Sequence, residues 1–245
     1  MEPTLSVTVH VCGRRPRLLD SHLRALAEAQ YSLYRRRFSV AEESLVQEIG
    51  TLLDRGRYPG SLSSYVRLDL YPDNRLEMTA EGALYRGYAL RALHPAAAPV
   101  AFALPFDNPL LSASGQAWAA ARLAAEARGA RIALRTDTQG HLLGADGAHL
   151  FALCGLTVYT PFRPGSGEGL LALAALARTH HPVRFEPLRT ADIPRIDELF
   201  YADHRGITAI ERCGTRRFDY TVAARVAAEM ERTFTRPEPK PGIPI

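Results

Sequence analysis

The sequence predicts a two-lobe α+β fold, and three observations carry that reading. Helical periods alternate with short, turn-bounded strands of antiparallel character. An irregular, proline-bearing stretch from Pro105 to Leu111 divides the chain near its middle. A chain of 245 residues, 47% apolar and 23% charged, can fill a sizeable core in two lobes. The expected division is an N-terminal α+β lobe over 1–105, a linker over 106–113, a C-terminal α+β lobe over 114–235 and a solvated tail over 236–245.

The first lobe opens with the alternating, valine-rich strand Ser6 to Val11, followed by the turn Gly13-Arg14-Arg15-Pro16. Ser21 then opens a helix with apolar positions at Leu23, Leu26, Ala27, Ala29 and Leu33. Ser39-Val40-Ala41-Glu42 has the form of a capping box, with serine accepting first-turn amides and glutamate reaching back. The helix it would start turns Leu45, Val46, Ile49, Leu52 and Leu53 inward and ends at Gly56. Strands are expected over Ser64 to Tyr71, Arg75 to Thr79, Tyr85 to Leu90 and Val100 to Leu104.

The second lobe begins with a helix from about Ser114 to Arg128, closed by Gly129. Four short strands follow, Ile132 to Thr136, His141 to Gly144, Leu150 to Leu153 and Leu156 to Tyr159. A glycine-rich loop, Pro164 to Gly169, then leads into a helix from Leu170 to Arg178. A strand over Val183 to Pro187, a turn capped by Thr190, strands over Glu198 to Ala202 and Ile207 to Cys213, and a helix over Thr221 to Phe234 complete it. The run Pro237-Glu238-Pro239-Lys240-Pro241 cannot pack as helix or central strand.

Composition narrows the function. The N-terminus lacks a basic segment followed by an apolar run, and no window resembles a membrane span, so a cytoplasmic protein without a membrane partner is expected. Cys12, Cys154 and Cys213 lack metal-ligand spacing, which fits a reduced compartment and no metal centre. A net charge of +4 is mild. Arg35-Arg36-Arg37 falls at a predicted helix end, where cations suit the dipole, so no nucleic-acid partner is expected.

Several short pieces, in their order, resemble the fold-type IV (class IV) aminotransferases, the family holding branched-chain aminotransferases and 4-amino-4-deoxychorismate lyase. They are Ser21-His22-Leu23, Val66-Arg67-Leu68, Asp137-Thr138-Gln139-Gly140-His141-Leu142, Leu156-Thr157-Val158-Tyr159-Thr160-Pro161, Asp197-Glu198-Leu199-Phe200 and Gly206-Ile207-Thr208-Ala209-Ile210. The resemblance spans about Ser6 to Met230. It implies that family's two-lobe architecture, a homodimer, and a pyridoxal phosphate (PLP) cleft between the lobes.

The family's cofactor residues are not matched. Its Schiff-base lysine precedes the helix near Ser114, where this chain reads Leu110-Leu111-Ser112-Ala113-Ser114. The only lysine is Lys240, in the tail. Gly144 stands for the carboxylate on the pyridine nitrogen, His149 for a nearby asparagine, Ala25 for the phosphate arginine and His204 for a phosphate hydroxyl. The phosphate loop becomes Gly165-Ser166-Gly167-Glu168-Gly169, with an acid where a phosphate would bind. PLP chemistry needs an imine-forming amine and a carboxylate on the ring nitrogen, so no cofactor is expected.

What remains is a set of candidates for the former cofactor cleft. Gly167 and Gly169 present helix-start amides to an anion, or simply form a turn whose Glu168 suits the dipole. Asp203 and His204 form a catalytic pair, general base or metal ligand, or polar filler. His149 faces the same space, and Arg67 offers a charged fork to a carboxylate or phosphate. The expected function is binding of a small anionic ligand or a partner by a pseudoenzyme. The alternative is an active aminotransferase or lyase with a remodelled site.

Overall fold

The computed structural model describes residues 3–165 and 167–235. The expected tail, Lys240 within it, and Ser166 lie outside the described residues.

The first lobe is a four-stranded antiparallel sheet with two helices against it. Its elements are β1 (Leu5–Cys12), β2 (Arg15–Pro16), α1 (Leu19–Tyr34), α2 (Glu42–Arg55), β3 (Ser63–Leu70) and β4 (Leu76–Gly82), in the spatial order β2-β1-β3-β4. Period-two alternation sends Val7, Val9 and Val11 of β1 and Val66, Leu68 and Leu70 of β3 to the face that meets Leu26, Leu45, Ile49 and Leu53. Each such side chain fully withdrawn from water contributes about 2 kcal/mol.

After β4 the chain leaves this sheet earlier than expected. β5 (Ala89–Leu90) and β6 (Ala96–Ala101) join the sheets of the second lobe, so by strand pairing 89–101 belongs with 114–235 and not with 1–105. The proline-bearing link that follows runs beside β1, with Ser6 N–H donating to Leu110 O and Ser112 N–H to Thr4 O.

The second lobe continues through α3 (Ser112–Glu126), β7 (Ile132–Thr136), β8 (Leu142–Ala145), β9 (His149–Cys154), β10 (Thr157–Thr160), α4 (Gly167–Arg178) and β11 (Val183–Phe185). It ends with β12 (Glu198–Asp203), β13 (Gly206–Ala209), β14 (Arg212–Cys213), β15 (Arg216–Arg217) and α5 (Thr221–Thr235). One sheet runs β11-β10-β9-β12-β13-β5 and the other β15-β14-β6-β7-β8. On β12, Phe200 turns to α4 and α5, meeting Leu176, Val226 and Met230. Its neighbours Leu199 and Tyr201 turn the other way, towards Leu134 and Leu142 of the second sheet. Trp118, Ala121 and Ala125 of α3 cover that sheet's outer face. The lobe is therefore four layers deep, helix, sheet, sheet, helix.

Two sequence expectations fail locally. The capping box does not form: α2 starts at Glu42 behind Ala41, with no side-chain cap. Phe38 and Val40 instead pack against the first-lobe core, which holds the preceding stretch out of helix. The glycine-rich loop is shorter than expected, because α4 begins at Gly167 and its first turn, Gly167 to Gly169, is buried.

Among the described residues no helix is long and apolar enough to cross a membrane.

Candidate functional site

A cleft of about 610 Å³ opens between the lobes. Ser6 to Thr8 of β1 and His22 of α1 form one wall, and Leu104, Asp107, Pro109 and Leu110 line it from the link. Trp118, Arg135, the β8–β9 turn, the start of α4 and the β12–β13 turn form the rest. Five of the six candidate residues line it: His149, Gly167, Gly169, Asp203 and His204. Arg67 does not. It pairs in register with Thr8, which does line the cleft, but its guanidinium is half-exposed and Nε donates to Asp69 Oδ2 at 2.8 Å. Arg67 thus stands outside the cleft lining with its charge already matched.

The expected Asp203–His204 pair does not form. The two strands β12 and β13 join through a two-residue turn, His204-Arg205, and the Asp203 carboxylate folds onto Arg205. The Arg205 amide donates to Oδ1 at 2.8 Å and its Nε to Oδ2 at 2.9 Å. His204 is anchored by its backbone, whose carbonyl accepts from His10 Nδ1 at 2.8 Å, and its ring meets Tyr65 edge-on at 4.9 Å. Burial lowers its pKa, against the raising influence of Asp203. A neutral imidazole without a carboxylate partner is a poor proton acceptor.

His149 is also held neutral. Burial pushes its pKa down to about 4. Thr160 Oγ1 donates to Leu150 O at 2.8 Å, so it accepts from His149 Nε2 at 2.6 Å and fixes the tautomer. Phe151 and Phe162 flank the ring at 5.1 and 5.0 Å.

The start of α4 is closed rather than open. Gly167 takes φ +63°, and a Cβ there would meet His22 Cε1 at 3.1 Å. Its amide already donates to Ser21 Oγ at 2.9 Å, so it is not free for a ligand. Glu168 is buried beneath this turn and accepts from Tyr88 Oη at 3.0 Å. Burial alone would raise its pKa, but His22 and its own amide outweigh that and hold it low, so the carboxylate stays ionised.

Sequence reasoning missed Arg135 and Arg205. Arg135 was legible only as a charge interrupting the apolar strand Ile132 to Thr136. In the structure it lines the cleft with its side chain 11% exposed, and its ion partner Asp107, 3.4 Å away, is 87% exposed. Arg205 is held by Asp203 and lies 3.9 Å from Asp146, which itself accepts from Arg122 Nη2 at 2.7 Å. That network is self-neutralising, whereas among the described residues the ion partner of Arg135 is a single surface carboxylate.

No protein-family model matches the sequence, and no curated protein matches it either. Solved structures match in fold. A branched-chain aminotransferase from Thermoproteus uzoniensis superposes with a TM-score of 0.75 at 14% identity, covering 94% of this chain and 84% of that one. An aminotransferase from Brucella abortus gives 0.75 at 16% identity, covering 94% and 88%. A protein assigned as a 4-amino-4-deoxychorismate lyase from Legionella pneumophila gives 0.72 at 17% identity, covering 91% and 88%. The chain has the α+β architecture of the fold-type IV aminotransferases, and at these identities the likeness is one of fold.

Proposed function

We propose that this chain binds a small organic anion, such as a carboxylic acid, in the inter-lobe cleft, and does not work through PLP. The relation of Arg135 to Asp107 carries the first half. A nearly enclosed guanidinium presents a rigid fork to the cleft, and a loosely held surface carboxylate is the group a ligand's own carboxylate would displace. Around it the Arg122–Asp146 and Asp203–Arg205 pairs fix the local charge, and His149 and His204 offer neutral polar surface.

The residues present do not fit PLP. The Brucella abortus structure holds that cofactor. In this chain no lysine occurs among the described residues, its single one being Lys240. The buried carboxylate of Glu168 stands at the helix start that lines the cleft, repelling an anionic group.

The test is a thermal-shift screen of the purified protein against small organic acids, followed by calorimetry. Arg135→Ala should weaken the best acid by about tenfold or more, the worth of a charged hydrogen bond, while Arg67→Ala changes it little. Equal affinity of Arg135→Ala and parent would reject the reading. With added PLP the protein should show no near-visible imine band and no adduct after borohydride. Turnover of an amino acid that needs PLP and vanishes in Lys240→Ala would overturn the cofactor half. A homodimer is also expected, since a two-fold interface reuses one patch on both chains. Light scattering would then give twice the 27.0 kDa chain mass.

A further inference from the structure

The first turn of α4 has the features of an anion site and holds an anion of its own. It is a twelve-residue helix whose N-terminus faces the cleft, and the dipole at such an end favours negative charge. Beside it His22 is buried, and its Nε2 has no hydrogen-bond partner among the described residues. That nitrogen stands 3.7 Å from Glu168 Oε1, beyond a hydrogen bond. Glu168 fills the position an incoming anion would take, with Tyr88 Oη donating to the same oxygen at 3.0 Å. The packing keeps it there. Gly169 has no room for a side chain, since a Cβ would fall 2.8 Å from Pro164 Cβ, and Gly167 is pressed on His22. The turn is thus crowded on two sides, by His22 of α1 and by Pro164.

We infer that Glu168 is a resident anion that excludes phosphate-bearing molecules from the inner end of the cleft, so that the cleft selects unphosphorylated acids. Two carboxylate-sized negative charges in contact at a buried site do not coexist without one of them taking a proton or leaving. A ligand in the cleft can extend towards the α4 end with a neutral or hydroxylated group, but not with a phosphate. This inference rests on the cleft being the binding site and makes no use of Arg135. A failure of Arg135→Ala to weaken acid binding would leave it standing.

Inorganic phosphate is the probe, titrated by calorimetry with the His22 ring followed by NMR. The parent should show no saturable phosphate site. Glu168→Ala, and the isosteric Glu168→Gln that keeps the Tyr88 contact, should gain one at least about tenfold tighter than any binding by the parent. Adding His22→Phe to either should abolish the gain. A parent that binds phosphate saturably and moves the His22 ring overturns the inference, and so do folded Glu168 variants that gain nothing. Should neither variant fold, the parent decides: phosphate binding at His22 rejects the idea, and its absence supports it.

Discussion

Asp203 gives its carboxylate to Arg205, whose Nε lies 2.9 Å from Oδ2, and not to the adjacent His204. This pairing cancels the second arginine of the cleft and raises the Arg205 pKa, hydrogen bonding and charge from Asp203 outweighing burial. Asp203→Asn should therefore release a cation into the cleft. Binding of the acid found by screening should tighten about three- to tenfold, more at low ionic strength than at high. Unchanged or weaker affinity at low salt would show that Arg205 does not face the ligand.

A buried acid elsewhere holds the last helix. Glu198 of β12 accepts from the amides of Val222 at 2.8 Å and Ala223 at 2.9 Å, satisfying the free donors at the start of α5. The carboxylate is buried, so its loss strands amides that water cannot reach. Glu198→Ala should lower unfolding stability by about 2 kcal/mol in urea titrations, and Glu198→Gln by less. A cost within error for the alanine variant would mean that α5 finds other caps.

The helices and most strands were legible because their apolar periods survive into the core. Leu45, Ile49 and Leu53 of α2 and the alternation of β1 are examples. What was not legible depended on contacts distant in sequence. The sequence places Arg67 on a strand, but only the folded sheet pairs it with Asp69 and leaves it outside the cleft lining. The glycines at 167 and 169 read as loop because glycine weakens helices. Gly167, with φ +63°, and Gly169 form the first turn of α4, and His22 and Pro164 leave no space for a Cβ at either. Asp203 and His204 are adjacent in sequence, yet a two-residue strand turn sends their side chains to different partners.

The last prediction concerns acid stability. Burial pushes the pKa of His10 from 6.5 to about 4, and that of His149 likewise. His10 is enclosed on both ring nitrogens: Nδ1 donates to His204 O at 2.8 Å, so Nε2 accepts from Ser63 Oγ at 2.8 Å. Gly87 N–H donates to that same serine oxygen at 2.7 Å, which leaves its hydrogen free for His10. A proton added to Nε2 would face a donor. The folded protein therefore binds fewer protons than the unfolded chain between pH 6.5 and 4, and stability must fall as the pH drops through that window. Each histidine contributes on the order of 3 kcal/mol to the loss, which levels off below pH 4. Glu168 and Glu231, held low by His22 and Arg17 against burial, give up their contributions only at more acidic pH. Urea midpoints measured across pH 7 to 4 should show this slope, and His10→Gln should start less stable at pH 7 but lose less on acidification. An identical slope in His10→Gln would mean that His10 is protonated in the native state, and that the Ser63–His10–His204 chain is not wired as described.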